Sequence, residues 1–581
     1  MRNEYPRPEF ERQQWMSLNG TWDFYVGEQR EERDRIQVPY VCQSKLSGID
    51  RRISEDYVVY ERAFTVPCQW RGKNILLHFG AVDYGCRVYV NRQFVGEHNG
   101  GQTPFCWEIG PYLNWQEEQV RVEVWDPLSD ETIPRGKQYW KGKSEFIWYT
   151  PSTGIWQSVW LEPVDETRFE RIWFTPDIDE GTVMVECVLA DGCRLPVRVW
   201  LDISIGEQMV YQGSMECRSV RNTITIDVFQ KKALAGAFHF TGNYWSPENP
   251  VLYQVTARLV QGTGILDEVR TYFGMRKIHV ENGRIYLSNQ PYYQKLVLDQ
   301  GYWRDGLLTA PEDEDYARDI RMAKAMGFNG CRKHEKAEDP RFLYWADRLG
   351  FLVWGAMSSF WFYTEEGADA FVREWMDVIR RDYNHPSIVV WGMLNESWGV
   401  QRIYNNRQHQ SYARALYHLA HSLDPTRLVI SNDGWEMVDT DICAVHSYKH
   451  GQKHDVRTQE VFRESLKSVE ELWRIVEKLP FARGYEYQGQ PVLLTEFGGI
   501  CAEGKKDRAE GEGWGYTTVS PEEFLKEYER ILDDVYESDL IQGYCYTQLT
   551  DVEQETNGLL DYGHRYKFDP EQIKRINDKK G

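Results

Sequence analysis

From about residue 275 onward, short runs of β-forming residues alternate with amphipathic helical patterns, and no other feature of the chain constrains its fold so strongly. Eight strand candidates follow one another, at 294–298, 329–334, 351–357, 387–396, 428–433, 442–448, 492–497 and 543–549. Helical patterns lie between them, such as 314–326, which gathers Tyr316, Ile320, Met322, Ala323 and Met326 near one face, and 371–383. Strands apolar on both faces and separated by helices predict a parallel sheet, and eight of them predict a (β/α)8 TIM barrel. One connection departs from that scheme, because the segment 434–441 is too short for a full helix.

The preceding residues follow a different grammar. Runs such as 22–26, 58–66, 74–79, 86–90 and 120–125 are short and broken by Gly, Asn and Pro, as in a β-sandwich or jelly roll over 1–164. The runs 182–188, 197–201, 223–228 and 252–260 repeat the style over 165–273 and predict a second, immunoglobulin-like β-sandwich. The barrel is then expected to occupy 274–581. A chain of 581 residues is too long for a single core, which accords with three domains.

A formal charge of −21 argues against a general nucleic-acid or anionic-membrane partner. The start, Met1-Arg2-Asn3-Glu4-Tyr5, lacks the apolar core of a signal peptide, and no run of about 18 apolar residues occurs, so a cytoplasmic location is expected. The 11 cysteines are scattered without a C-x-x-C pair, which suits buried reduced thiols better than disulfides or a zinc site. The 23 Trp and 35 Tyr supply flat rings on which sugars stack, although strands use the same residues.

Candidate chemistry concentrates at two strand ends. Ser387-Ile388-Val389-Val390-Trp391-Gly392-Met393-Leu394-Asn395-Glu396 and Pro491-Val492-Leu493-Leu494-Thr495-Glu496-Phe497 each place a glutamate where a buried strand emerges. Functional groups of a TIM barrel sit at the C-terminal strand ends, and strands four and seven lie roughly across the mouth from one another. Two carboxyls about 5–5.5 Å apart, one protonated and one ionised, are what a retaining glycosidase requires. A single strand-end Glu reads more readily as half of an ion pair. The flanks shift that balance, since Asn395 can donate to a sugar hydroxyl and Gly498-Gly499 clears room beside Glu496. Trp391 and Trp398 read as core and wall.

These residues, with His385-Pro386-Ser387 and Thr495-Glu496-Phe497-Gly498-Gly499, resemble glycoside hydrolase family 2, the family of β-galactosidases, β-glucuronidases and β-mannosidases. The likeness extends to Trp15-Met16-Ser17-Leu18-Asn19-Gly20-Thr21-Trp22 and Gly154-Ile155-Trp156-Gln157-Ser158-Val159-Trp160-Leu161, which are similar to its jelly roll. Trp245-Ser246-Pro247-Glu248-Asn249-Pro250 and Phe273-Gly274-Met275-Arg276-Lys277 are similar to its junctions before the barrel. The resemblance implies that Glu496 is the nucleophile and Glu396 the general acid/base, with Arg332 and Tyr448 holding the nucleophile. It also implies that Asp299 and Asn395 grip sugar hydroxyls. His334, His446, Trp435 and Gln548 fall at strand ends and are candidate lining residues. Trp148 and Tyr149, in an aromatic loop that approaches the site in relatives, are candidate walls.

The chain departs from familiar members at Ala356, where many have Glu, and in strand eight, which lacks a Trp found beneath the sugar in several. The Asn-x-Lys signature that grips the carboxylate in familiar β-glucuronidases is not evident. The sugar therefore stays open between a β-hexuronide (glucuronide or galacturonide) and a β-galactoside. The basic residues Lys333 and Lys336 after strand two, Lys449 after strand six, and Arg402 favour the hexuronide. Two other classes compete: a non-catalytic carbohydrate-binding protein and a metal-dependent hydrolase. Retention of both glutamates speaks against the first, and the lack of a convincing His and Asp set speaks against the second. No cofactor or metal is expected; a carbohydrate substrate and a homo-oligomer are expected from the family.

Overall fold

The computed structural model describes residues 2–27, 33–229, 243–451, 455–502 and 515–580. Its N-terminal part is a β-sandwich of a four-stranded and a six-stranded sheet. Alternation fixes which face is buried: along Glu118–Trp125 every second residue is buried, and Val120, Val122 and Val124 join Trp22, Phe24, Tyr60 and Val88 in one core. The next part, from Phe169–Asp177 to Gly264–Phe273, stacks a three-stranded on a four-stranded antiparallel sheet, as an immunoglobulin-like sandwich does. Val185, Val199, Leu201, Val255 and Ala257 fill the space between them.

Eight parallel strands then form the barrel: Gln294–Asp299, Gly330–Lys333, Leu352–Gly355, Ile388–Gly392, Leu428–Ile430, Cys443–His446, Val492–Gly498 and Ile541–Thr547. They are called strands one to eight below. The order around the sheet is five-four-three-two-one-eight-seven-six, with no ladder between five and six among the described residues. That gap falls at the connection too short for a helix. The chain there turns tightly instead, with Asp433 donating its amide to the Leu394 carbonyl and Met437 to that of Pro480.

Helix boundaries follow caps rather than the apolar pattern alone. Asp313–Ala325 starts at a capping box between Glu312 and Asp315. Glu365–Asp382 begins six residues before the expected 371, because the Thr364 side chain accepts the Gly367 amide and nucleates an earlier turn. Strand four is shorter than expected and ends at Gly392. Beyond it the chain bends, and Glu396 and Ser397 take left-handed φ of 47° and 60°. Non-glycine residues adopt that region at a cost and persist there only when the surroundings impose it. Here Glu396 donates its amide to the Asp433 carbonyl (3.0 Å), Ser397 to Asn432 Oδ1 (2.9 Å), and Ser397 Oγ bonds Glu436 (2.6 Å).

All eleven cysteines are free thiols. No described helix is long and apolar enough to cross a membrane.

The two sandwiches are tied through Arg12, which is buried. Its guanidinium donates to Glu162 (2.9 Å), to both oxygens of Asp267 (3.0 and 2.9 Å) and to the Phe169 carbonyl (2.7 Å). Removing one member of such a network strands the others without a partner. Arg12→Ala is expected to destabilise the sandwich pair by about 3–5 kcal/mol. Thermal unfolding followed by circular dichroism checks this, with Arg35→Ala, an exposed arginine, as the silent control.

Candidate active site

Arg332, at the end of strand two, organises the barrel mouth. Its three nitrogens reach three strands: Nη1 donates to Glu496 Oε1 (2.8 Å), Nη2 to Asn395 Oδ1 (2.6 Å), and Nε pairs with Asp433 Oδ2 (2.5 Å). Tyr448 donates its hydroxyl to the other Glu496 oxygen at 2.7 Å. His446 bridges the remaining groups, with Nδ1 at 2.8 Å from Glu396 Oε1 and 3.6 Å from Glu496 Oε2, and Nε2 at 3.3 Å from Asp433 Oδ1. Thr495 Oγ1 completes Asp433 at 2.6 Å.

One oxygen of each glutamate and a ring nitrogen of His446 lie within 4.8 Å of one another. The two carboxyls are thus much nearer the spacing of about 5–5.5 Å that suits direct attack than the separation of about 6.5–9.5 Å that leaves room for an intervening water.

Charge decides how the two differ. Burial pushes each of these carboxyls toward the neutral form. For Asp433, Arg332 and then His446 overturn that and hold it down to about 2. Burial is likewise overcome at Glu496, where His446 and Arg332 keep the carboxyl below its ordinary range. Glu396 goes the other way: burial, helped by the neighbouring charge of Glu496, outweighs the hydrogen bond from His446 and raises it. Burial works against the charged form of His446, but Glu496, Asp433 and Glu396 together lift it to about 10. His446 and the two glutamates have the spacing of a metal site, and holding a metal there would require His446 to give up its proton.

The other candidate residues divide. His334 Nε2 stands 3.6 Å from Glu496 Oε1, and its Nδ1 meets Gln300 Oε1 at 2.9 Å. Gln300 in turn donates to Gln548 Oε1 (2.7 Å), linking strands two, one and eight. Trp148 is buried and stacks on Trp398 with centroids 4.8 Å apart, so the aromatic loop of the first sandwich does reach the mouth. Tyr149 donates to Glu555 at 2.6 Å and is packed beneath the loop rather than forming its open wall. Trp435 lies just beyond strand five, under the Lys478 ammonium at 4.3 Å.

The basic residues after strand two correct the sequence reading. Side chains alternate along a strand, so Arg332 pointing into the barrel sends Lys333 outward. Lys333 is buried over the Phe342 ring (4.4 Å) and is held by Asp299 (2.7 Å) and Glu338 (2.5 Å). Lys336 is buried too, bonded to the carbonyls of Gly301 (2.6 Å) and Leu308 (2.8 Å) and to Glu338 (3.0 Å). Both ammoniums are spent on anchoring the loop, and Asp299 is spent on Lys333 and on the Gly301 amide (2.8 Å). Lys449 donates to the Val476 carbonyl at 3.2 Å.

Several contributors were not singled out from sequence. Asp433 lies three residues beyond the end of strand five, as the acid after an apolar run. Tyr516 stacks on Tyr448 at 3.4 Å, and Trp361 meets Trp148 edge-on at 5.2 Å. Neither follows a strand pattern.

Carboxyl titration tests this electrostatic account directly. In isotope-edited infrared difference spectra Glu496 is expected to titrate below, and Glu396 above, the ordinary glutamate range. His446→Asn removes a cation that lowers both, so both midpoints are expected to move up; a shift confined to one would contradict the shared arrangement.

Three family descriptions match the chain in order: "Glycosyl hydrolases family 2, sugar binding domain" at 35–162, "Glycosyl hydrolases family 2" at 167–276, and "Glycosyl hydrolases family 2, TIM barrel domain" at 309–579. A β-galactosidase of Thermoanaerobacter pseudethanolicus is 27% identical over 378 residues, covering 63% of this chain and 47% of that protein. A β-glucuronidase of Paenibacillus borealis is 25% identical over 524 residues, covering 82% and 79%. The chain spans about half or less of the length of several curated relatives it matches. Among solved structures, a β-D-glucuronidase of Dictyoglomus thermophilum superposes with a TM-score of 0.78 at 19% identity, over 99% of both chains. A family 2 β-galacturonidase of Eisenbergiella tayi gives 0.76 at 21%, over 100% of this chain and 98% of that one. The fold, the order of its parts and the three successive matches together place this chain in glycoside hydrolase family 2.

Proposed function

We propose that the chain is a retaining exo-β-glycosidase that works by double displacement and takes β-hexuronides. The observation that carries the reaction is the opposite electrostatic treatment of two carboxyls whose nearest oxygens lie within 4.8 Å. Glu496, ionised and oriented by Arg332 and Tyr448, attacks the anomeric carbon. Glu396, protonated, gives its proton to the departing glycosidic oxygen, so a glycosyl ester forms on Glu496 as the C1–O bond breaks. Glu396 then takes a proton from water, whose oxygen attacks C1 and releases Glu496 with the proton restored to Glu396.

The cluster's charge balance suits this sequence. Two cations, Arg332 and His446, face Asp433 and Glu496 as anions with Glu396 neutral. After the first step Glu496 is an ester and Glu396 an anion, so the negative charge has moved across the site without changing in amount.

The sugar assignment is supported by the proteins this chain resembles, which include β-glucuronidases and a β-galacturonidase. Relatives named β-galactosidase support the alternative. A panel of 4-nitrophenyl β-glycosides decides between them: turnover of the galactoside with both uronides inert would overturn the hexuronide reading.

The catalytic roles have their own signatures. Glu496→Gln is expected to lower kcat by about three orders of magnitude or more on the best substrate. Glu396→Ala is expected to spare the first step with an activated aryl leaving group and slow the second, leaving a burst of nitrophenol followed by a slow steady rate. Proton NMR of a running reaction is expected to show the β-anomer of the free sugar first.

A further inference from the structure

The loop around Gly136 belongs to the first sandwich in sequence and to the barrel mouth in space. Gly136 takes φ 55°, and a Cβ there would stand 2.2 Å from the Glu335 carbonyl oxygen, so only glycine allows so close an approach. The amides of Gly136 and Arg135 both donate to the Ser359 carbonyl, at 2.9 and 3.2 Å. The next residue, Lys137, is thereby carried into the mouth, where its side chain is only 4% exposed. Its carbonyl is pinned by the Tyr149 amide at 2.8 Å.

The Lys137 ammonium is thinly partnered: it lies over the Tyr149 ring, 5.0 Å from the centroid. Among the described residues it makes no hydrogen bond, and its one ion pair, with Glu555 Oε2, is 3.8 Å long. That oxygen already accepts the Tyr149 hydroxyl at 2.6 Å. Lys333 and Lys336, equally buried, are by contrast fully engaged. An ammonium has three donors and no acceptor, and burying it without acceptors is unfavourable. Gly136 abuts the carbonyl of Glu335, the residue after His334, whose Nε2 is 3.6 Å from Glu496, and the ion pair of Lys137 is with Glu555 in the loop after strand eight. These contacts place Lys137 on the side of the mouth bounded by the loops after strands two and eight, across from strand four.

A glycone with its anomeric carbon at Glu496 and its leaving oxygen at Glu396 extends toward that side. Arg332 and His446 are committed to the carboxyls of the cluster, whereas Lys137, among the described residues, makes no hydrogen bond. We propose that Lys137 is a specificity-determining residue of the glycone site, where its ammonium receives the C6 carboxylate of a β-hexuronide. The inference rests on the hexuronide reading above and assigns its recognition to a residue of a different domain from the catalytic barrel.

The test compares wild type, Lys137→Gln and Lys137→Arg by kcat/KM on 4-nitrophenyl β-D-glucuronide, β-D-galacturonide and the corresponding neutral hexosides. The uronide-to-hexoside ratio is expected to fall tenfold or more in Lys137→Gln and less in Lys137→Arg, which keeps the charge. An unchanged ratio in Lys137→Gln, or an equal fall on both classes, overturns the assignment while leaving the hexuronide reading intact. Wild type inert on both uronides overturns that reading and this inference together. Should Lys137→Gln not fold, as judged by circular dichroism, the charge-keeping Lys137→Arg carries the test. Its ratio must then differ from wild type, because a planar guanidinium cannot place its donors as an ammonium does.

Discussion

A buried imbalance of charge underlies the whole site: three carboxyls, Asp433, Glu496 and Glu396, share two cations, Arg332 and His446. Burying a net charge is costly, and a proton on one carboxyl removes the excess. Geometry selects which one. Asp433 and Glu496 each contact Arg332 directly, whereas Glu396, among the described residues, has only the His446 side-chain hydrogen bond and faces the negative charge of Glu496. The opposite protonation tendencies of two chemically identical side chains thus follow from where one guanidinium sits. The left-handed backbone at Glu396 is part of the same arrangement, because it turns that carboxyl toward His446 at the point where strand four has already ended.

The surrounding domains complete what the barrel cannot supply. Strand ends deliver Arg332, Glu396, His446 and Glu496, but the rim is shared with the first sandwich through residues 135–149. Gly136 at the Glu335 carbonyl and Trp148 stacked on Trp398 lock that loop down. Trp361 packs against Trp148, joining a loop after strand three to the same cluster. The Arg12 network holds the sandwich itself to its neighbour.

Much of this was readable in the sequence because strands obey a period of two and barrels place function at strand ends. Glu396, Glu496, Arg332, His446 and Tyr448 all follow from those rules together with the family resemblance. The structural role of Lys333 and Lys336 is hidden in the sequence, which displays charges and not their partners. Glu338 lies only a few residues on, but nothing linear shows that Asp299 and two backbone carbonyls also converge on them. Lys137 escaped notice for a related reason: its loop and strand two come from different domains, and no periodicity relates them. The early start of the helix Glu365–Asp382 shows the same limit on a smaller scale, since its cap, Thr364, precedes the apolar stripe.

In the proposed double displacement Glu496 forms a covalent bond to the sugar. Incubation with a 2-deoxy-2-fluoro glycosyl fluoride of the preferred sugar slows both steps, the second more than the first, so the ester accumulates and survives proteolysis. Peptide mass spectrometry of the trapped enzyme is expected to place one sugar on Glu496 and none on Glu396. A label on any other residue, or none in an enzyme that the same reagent inactivates, would contradict the account.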